Sequence, residues 1–251
     1  MAILCERYYS RPIFLGNKKI KSTMNVDVII LTKSNDNSIK QTCRTIQTLH
    51  DSESKHTFKI HLLESGNDNK SIYENIVTNY IILKDVFNYN KFLNIGFKYT
   101  SCDWVVVAND DLSYERGWFE EILQVHKIRK DIKSFSPKDP ALYNKYYPHH
   151  FVGTDKQYFE SYIVTEAFMG WCFVMRKEVL DLLIPFDESF DMYYQDNDLV
   201  ERLKFIGIKH ALVRNSIVSH HQTMNINKMN NDKKMNEDRL KFLKKWKGEI
   251  H

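Results

Sequence analysis

The chain has 251 residues, of which 43% are hydrophobic and 27% charged, and its formal net charge is +4. Such a length can bury one continuous core, and such a composition excludes wholesale disorder. The charge is too small to indicate a nucleic-acid-binding protein by itself. We therefore expect one folded domain at 26–224, preceded by a basic segment (1–25) and followed by a basic helix or tail (225–251).

Cysteine usage and hydropathy bear on the cellular compartment. The four cysteines are far apart and form no C-x-x-C pair, so neither a zinc knuckle nor a dense disulfide framework is predicted. The N-terminal apolar runs are too short for the core of a signal peptide, and no run approaches the roughly 18 apolar residues of a membrane span. We expect a cytoplasmic protein without a membrane span.

The first half of the chain alternates strand and helix patterns. Val26–Leu31 is an almost continuous apolar run, typical of a buried parallel strand. A helical pattern from Ile39 to Leu49 and a second strand at Phe58–Leu63 complete a β-α-β unit. The next predicted elements are a helix at 72–79, a strand at 80–83, a helix at 91–100 and a strand at 103–108.

The second half continues this alternation around one irregular stretch. Helices are predicted at 117–129, 177–183 and 196–206, and strands at 134–136, 168–175 and 211–218. Residues 137–163 lack periodicity and are rich in aromatic residues, with Lys145 and Lys156 among them. Long loops of this kind are often lids or binding surfaces, so these rings could stack on saccharides or nucleobases, although ordinary packing is the alternative.

The C-terminal residues predict a basic amphipathic helix. Leu240, Leu243 and Trp246 recur at a spacing of three residues among many lysines. One interpretation is a solvated helix that packs these side chains on the domain. The other is peripheral attachment to anionic lipid, because basic amphipathic helices can lie at a membrane surface.

Two acidic clusters occupy positions suited to chemistry. Asn109-Asp110-Asp111 follows the strand at 103–108, and ligands bind at the carboxyl ends of parallel strands in open α/β sheets. Carboxylates there could hold a divalent cation against phosphate oxygens, although a solvated turn has the same composition. Gln195-Asp196-Asn197-Asp198 opens a predicted helix, where helix capping is the alternative explanation.

The order of the motifs is more specific than any single motif. Gly170-Trp171 begins a strand, the sequence Phe186-Asp187-Glu188-Ser189-Phe190 precedes the second acidic cluster, and His220 follows the last strand. Together with Val26–Thr32, Glu64 and Asn94-Ile95-Gly96, these motifs make residues 26–221 resemble an inverting glycosyltransferase of family 2. The resemblance implies an α/β protein of GT-A type, with a Rossmann-like mixed sheet that is predominantly parallel and flanked by helices.

The resemblance also implies a role for each matching residue. Asp196 would be the catalytic base, which takes the proton of an acceptor hydroxyl as that oxygen attacks the anomeric carbon. Asp111 and His220 would hold the metal, Mn²⁺ or Mg²⁺, and His221 is the nearby competitor of His220. The remaining assignments are nucleotide-sugar contacts at Thr32, Glu64, Asn90, Lys91, Asn94, Asn109 and Asp110, and acceptor contacts at Gly170, Trp171 and Asp198.

Two residues depart from the family pattern. Glu64 stands where aspartate is usual, and its longer carboxylate can still accept a hydrogen bond from the edge of a nucleotide base. Gln195 replaces the glutamate before the base, and the loss of that charge would lower the pKa of Asp196 relative to a site with two carboxylates.

The predicted activity is metal-dependent sugar transfer from a nucleoside-diphosphate sugar, taken to be a UDP sugar, to a hydroxyl acceptor, taken to be a saccharide. One alternative keeps the chemistry but places the acceptor hydroxyl on a hydroxymethylated base of DNA, because the termini are basic and lysines lie among the aromatic residues. The other alternative is a catalytically silent protein that binds nucleotide sugars or glycans. It is suggested by Gln195, which replaces the glutamate usual in the acidic motif.

Overall fold

The computed structural model describes residues 23–33, 36–53, 55–142, 150–190, 193–221 and 228–248. The predicted basic segment at 1–25 therefore lies almost entirely outside the described residues, as do Lys145 and the boundary at 224. The described strands are β1 (Asn25–Lys33), β2 (Thr57–Ser65), β3 (Asn79–Leu83), β4 (Trp104–Asn109), β5 (Leu112–Tyr114), β6 (Ile132–Lys138), β7 (Tyr158–Glu160), β8 (Cys172–Arg176) and β9 (Lys209–His220).

These strands form one mixed sheet in the order β3-β2-β1-β4-β8-β6-β9-β5, with β7 also paired to β9. β1 is parallel to β2 and β4, β2 to β3, and β6 to β9. β8 runs antiparallel between β4 and β6, and β5 and β7 run antiparallel to β9. Most of the described strands therefore share one direction, which confirms the predicted mixed and predominantly parallel sheet.

Helices cover both faces of this sheet. They are α1 (Asp36–Ser52), α2 (Lys70–Tyr73), α3 (Tyr89–Gly96), α4 (Trp118–Ile128), α5 (Lys177–Leu183), α6 (Gln195–Phe205) and α7 (Lys228–Lys247). Val28 and Ile30 pack in one core with residues of α1 and α4, whereas Ile29 and Leu31 pack in a second core with α3, α5 and α6. Successive side chains of a strand point to opposite faces, so the apolar run of β1 contributes to both cores.

Some element bounds differ from those predicted. The helix expected at 72–79 is only the single turn of α2, and β5 was not predicted at all. The strand expected at 168–175 begins only at Cys172, because the chain before it forms a tight turn. In that turn the amides of Ala167 and Phe168 both donate to the carbonyl oxygen of Ile163, at 2.9 and 3.1 Å.

A buried charged residue lies near the start of β1. The Asp27 carboxylate accepts hydrogen bonds from His61 Nε2 at 3.0 Å and from the backbone amides of Ser101 and Cys102. Burial by itself raises the pKa of Asp27, but these hydrogen bonds outweigh it and lower the pKa to about 2. The carboxylate therefore ties β1 to β2 and to the loop before β4 while it stays ionised.

The C-terminal helix α7 packs against α6. The Trp246 indole donates to Asp198 Oδ1 at 2.7 Å, whereas Leu240, expected on the same side of the helix, is 51% exposed. Of the predicted stripe, Trp246 therefore contacts the domain, whereas Leu240 does not. Among the helices in the described part of the chain, none combines the length and apolar character that crossing a bilayer requires.

Candidate active site

A cavity of about 510 Å³ opens at the carboxyl ends of β1 and β4. The turn before β8, the start of α3 and the first turn of α6 complete its walls. Seven residues predicted from the sequence as site residues line it: Asn90, Asn109, Asp110, Asp111, Gly170, Trp171 and Asp196. The topology thus brings both acidic clusters to one place, although they lie some 85 residues apart in the chain.

Asp110 is held by threonines from two neighbouring elements. Thr32, near the end of β1, donates from Oγ1 to Asp110 Oδ2 at 2.6 Å, and Thr42 of α1 lies 3.4 Å from the same oxygen. Thr45 fixes the backbone, because its hydroxyl donates to the Asp110 carbonyl oxygen at 2.8 Å. Burial raises the pKa of Asp110 to about 6 in spite of the Thr32 hydrogen bond. Thr32 therefore lies behind Asp110, not on the cavity wall.

Asp111 meets His220 because β5 pairs with β9. Leu112 is opposite His220 in that ladder, and the amide of His221 donates to the Asp111 carbonyl oxygen at 2.9 Å. Asp111 Oδ1 lies 3.1 Å from His220 Nε2, without the alignment of a hydrogen bond. The indole of Trp171 stacks on the His220 ring, with centroids 5.1 Å apart. His221 instead contacts Ser113 Oγ at 2.7 Å.

Asp111 and His220 have the chemistry of a partial metal site. Asp111 Oδ1 and His220 Nδ1 are buried without a hydrogen-bond partner, which is unusual for polar atoms unless a ligand completes them. Carboxylate oxygen and imidazole nitrogen are both suitable ligands for Mn²⁺. Within the described residues, no group of three or more His, Cys, Asp or Glu side chains could enclose a metal ion. The pair therefore fits a cation whose remaining ligands come from phosphate and water.

Asp196 lies in the first turn of α6, at the cavity wall. Its Oδ1 accepts a hydrogen bond from the Asn197 amide at 2.9 Å, and Gly170 lies directly against its Oδ2. Burial raises the pKa of this carboxyl group above its ordinary value. The preceding Gln195 also lines the cavity, and its buried Oε1 has no hydrogen-bond partner. The arrangement offers one carboxylate of raised basicity to a ligand in the cavity.

Several residues expected to contact the nucleotide lie outside the cavity wall. Glu64 is fully buried, where it accepts from Asn69 Nδ2 at 2.8 Å and from the Tyr80 hydroxyl. Lys91 pairs with Asp85 at 2.9 Å, and Asn94 exchanges hydrogen bonds with the backbone of Phe186. In this structure their polar atoms bind neighbouring segments of the chain.

Asn90 and Asp198 also have protein partners. Asn90 lines the cavity, but its Nδ2 donates to the Asp187 carbonyl oxygen at 2.7 Å. Asp198 is buried and accepts from the Trp246 indole at 2.7 Å and from Lys245 Nζ at 2.8 Å. The Asp198 carboxylate therefore faces α7, on the other side of α6 from the cavity.

The cavity is also lined by residues that were not predicted as site residues from the sequence, among them Tyr89 and Thr165. The Tyr89 hydroxyl donates to the Gly170 carbonyl oxygen at 3.3 Å, and burial and the nearby Asp196 carboxylate raise its pKa. Thr165 adopts a left-handed backbone conformation with φ of 68° in the turn before β8. The only available signal was position, because Tyr89 adjoins the selected Asn90 and Thr165 lies shortly before Gly170.

Comparisons with known proteins agree with the architecture. A family model described as "Glycosyl transferase family 2" matches residues 27–183, whereas no curated protein matches the sequence. A structure of GalNAc-T7 with UDP, GalNAc and Mn²⁺ superposes with a TM-score of 0.61 at 12% identity, covering 78% of this chain and 43% of that one. The mannosyltransferase PcManGT from Pyrobaculum calidifontis, in complex with GDP-Man and Mn²⁺, gives 0.61 and 12%, covering 82% and 59%. The chain thus spans about half the length of these two structures, which share its fold.

Proposed function

The chain belongs to glycosyl transferase family 2, and we propose that it transfers a sugar, with inversion, from a nucleoside-diphosphate sugar to a hydroxyl acceptor. The observation that carries the proposal is that the Asp196 and Asp111 carboxylates line one cavity, with His220 directly beside Asp111. The family match ends before Asp196 and His220, so their roles rest on this geometry and on the order of the motifs.

Asp196 is the general base of the proposed reaction. Its carboxylate takes the proton of the acceptor hydroxyl while that oxygen forms a bond to the anomeric carbon. The bond between the anomeric carbon and the diphosphate oxygen breaks in the same displacement, so the configuration at that carbon inverts. Burial supports this role, because a raised pKa makes the carboxylate a stronger proton acceptor.

The diphosphate end of the donor belongs near Asn109, Asp110 and Asp111. Asp111 and His220 are the residues that would hold a divalent cation, Mn²⁺ or Mg²⁺, and each has a buried atom without a hydrogen-bond partner. Such a cation, when bound, neutralises the negative charge that develops on the leaving diphosphate. We assign Asp110, which Thr32 holds by a hydrogen bond, to the ribose and phosphate side of the donor. We take UDP as the first nucleotide to test; of the two structures compared, one holds UDP and the other GDP-Man.

A saccharide is the proposed acceptor. Aromatic side chains such as Tyr89 and Trp171 line the cavity near Asp196 and offer flat apolar surface to a sugar ring. DNA is kept as the alternative acceptor for the test, and Lys241 and Lys245 of the basic helix do not argue for it, because they pair with carboxylates of the protein itself. We place the enzyme in the cytoplasm, an assignment supported by free thiols at Cys43, Cys102 and Cys172.

The test is a donor screen with purified protein, a panel of nucleotide sugars, and Mn²⁺, Mg²⁺ or a chelator. Wild type is compared with Asp111→Ala, Asp196→Asn and the control Asp155→Asn. The Asp155 side chain is exposed, and the residue is far in sequence from both acidic clusters. We expect metal-dependent turnover of one donor, lost in Asp111→Ala and retained in the control.

Asp196→Asn should keep nucleotide binding but lose transfer to an acceptor. Acceptors are then screened as free saccharides and as DNA with hydroxymethylated bases. The silent binding protein would be favoured instead if wild type binds a nucleotide sugar but transfers it to no acceptor, and if Asp196→Asn binds it equally well.

A further inference from the structure

Tyr194, the residue before α6, adopts a backbone conformation that needs external support. Tyr194 has φ of 61° and ψ of 2°, in the left-handed region that side-chain-bearing residues rarely occupy. Such conformations persist where the surrounding structure enforces them, and they are frequent beside functional sites. Asp196 follows two residues later, so the direction of this turn determines where its carboxylate points.

The support comes from the C-terminal helix. The Phe242 ring of α7 packs on the Tyr194 ring, with centroids 5.4 Å apart. The Tyr193 amide donates to Asp238 Oδ2 at 3.1 Å, and Lys241 Nζ binds Asp238 Oδ1 at 2.7 Å. Asp238 is only 1% exposed, although most of its neighbours on α7 are exposed. A buried carboxylate therefore holds the backbone amide that enters the turn.

The same helix also holds α6 just beyond Asp196. Lys245 Nζ lies 2.8 Å from Asp198 Oδ1 and 2.6 Å from Asp187 Oδ2, so one ammonium group bridges α6 and the segment before it. The Trp246 indole donates to the same Asp198 oxygen at 2.7 Å. Asp196 consequently lies between two places where the chain is bound to α7, namely Tyr193–Tyr194 on one side and Asp198 on the other.

We propose that α7 is a positioning element for the reaction, in which Asp238 and Phe242 hold the Tyr193–Tyr194 turn so that the Asp196 carboxylate faces the cavity. None of the helix residues whose side chains the structure describes lines the cavity, and the helix lies outside the part of the chain that the family model matches. The inference rests on the proposed role of Asp196 as the base.

This arrangement predicts a separation between donor binding and chemistry. The donor side of the cavity is formed by β1, β4 and the residues that follow them, none of which contacts α7 through the bonds just described. Loosening the turn should therefore displace the base while the nucleotide still binds. If the helix had a structural role only, loosening it would lower nucleotide affinity, the rate of transfer and the melting temperature together.

The experiment compares Asp238→Ala and Phe242→Ala with three controls. Asp238→Asn keeps an oxygen that can accept from the Tyr193 amide, Phe242→Tyr keeps the ring, and Leu240→Ala changes an exposed residue of the same helix. Each variant is assayed well below its melting temperature for kcat of transfer, nucleotide Kd and the pH dependence of kcat. We expect kcat to fall about 10- to 100-fold in Asp238→Ala and Phe242→Ala, with nucleotide Kd unchanged. The conservative variants should recover most of the rate.

Two outcomes would overturn the inference, and they are distinguishable from failure of the proposed function. Full kcat in Asp238→Ala and Phe242→Ala, with Asp196→Asn inactive, would show that α7 does not position the base. Equal losses of kcat and nucleotide affinity would show a structural role only. Full transfer by Asp196→Asn would instead refute the assignment of the base, and the inference about α7 with it.

Discussion

Gly170 and Asp196 are packed so closely that a Cβ atom on Gly170 would lie 2.9 Å from Oδ2 of Asp196 and 3.0 Å from its Cβ. A side chain cannot be accommodated at that distance unless the carboxylate or the backbone moves. Gly170 does not have a positive φ, so the glycine is required here by the close approach of Asp196 and not by its backbone conformation.

Gly170→Ala should therefore displace the base. We expect kcat to fall about 10- to 100-fold, because a shift of about 1 Å in a catalytic group has effects of that size. The added methyl group should also destabilise the protein by about 1 kcal/mol through overpacking. Gly153→Ala is the matched control: its φ of 68° makes alanine unfavourable, but no atom lies within 4 Å of the new Cβ. Stability should fall there without any change in kcat, and a Gly170→Ala enzyme with normal kcat would contradict the prediction.

Trp171→Ala should weaken metal binding, because the indole fixes the orientation of the His220 ring by stacking at an interplanar angle of 19°. Loss of a group that orients a metal ligand commonly lowers metal affinity about 10- to 100-fold. The measurement is the Mn²⁺ concentration that gives half-maximal donor hydrolysis, with Trp171→Phe as the control that keeps a ring. An unchanged Mn²⁺ requirement with a raised acceptor KM would assign Trp171 to the acceptor instead.

The rate of transfer should depend on the protonation of Asp196. Burial raises the pKa of this group, and the base acts only when deprotonated, so kcat should fall as the pH is lowered through that raised pKa. The acid limb should thus lie above the ordinary aspartate pKa of 3.8. The check is kcat against pH at saturating donor and metal. A limb at or below the ordinary value would show that the base is not buried in the enzyme-substrate complex.

Asp27→Asn should destabilise the fold at neutral pH. The folded-state pKa of about 2 lies below the ordinary value of 3.8, so ionised Asp27 stabilises the folded state above about pH 4, and this contribution is lost as the pH falls through 2. The shift corresponds to about 2 kcal/mol of unfolding free energy. Urea unfolding of wild type and Asp27→Asn at several pH values tests it, with exposed Asp155→Asn as the control. A difference between the two proteins that stays constant down to pH 2 would contradict the mechanism.

The sequence was sufficient for the central parallel strands and for the first acidic cluster. The apolar runs of β1, β2 and β4 are local signals, and Asn109-Asp110-Asp111 follows β4 directly, so their place at the sheet edge could be predicted. The three residues of β5 were missed because their pairing with β9 connects positions about 100 residues apart. That unpredicted ladder is what brings Asp111 to His220.

Asp198 shows a limit of carrying roles over from a motif. Residues two positions apart on a helix do not share a face, since each residue advances about 100° around the axis. Asp196 and Asp198 therefore point in nearly opposite directions once α6 forms, one to the cavity and the other to α7. The helical period alone could have separated them. The partner of Asp198 could not have been predicted, because it depends on how α7 returns to the domain.

The antiparallel ladder between β4 and β8 sets the span of the cavity. Ala108 is opposite Cys172, and the Asn109 amide donates to the Trp171 carbonyl oxygen at 2.9 Å, so main-chain bonds join the proposed donor side to the proposed acceptor side. Because main-chain atoms make these bonds, side chains at the rim take no part in them. Variation at the rim can therefore change which molecules bind, while the distance between the two substrates is preserved by the backbone.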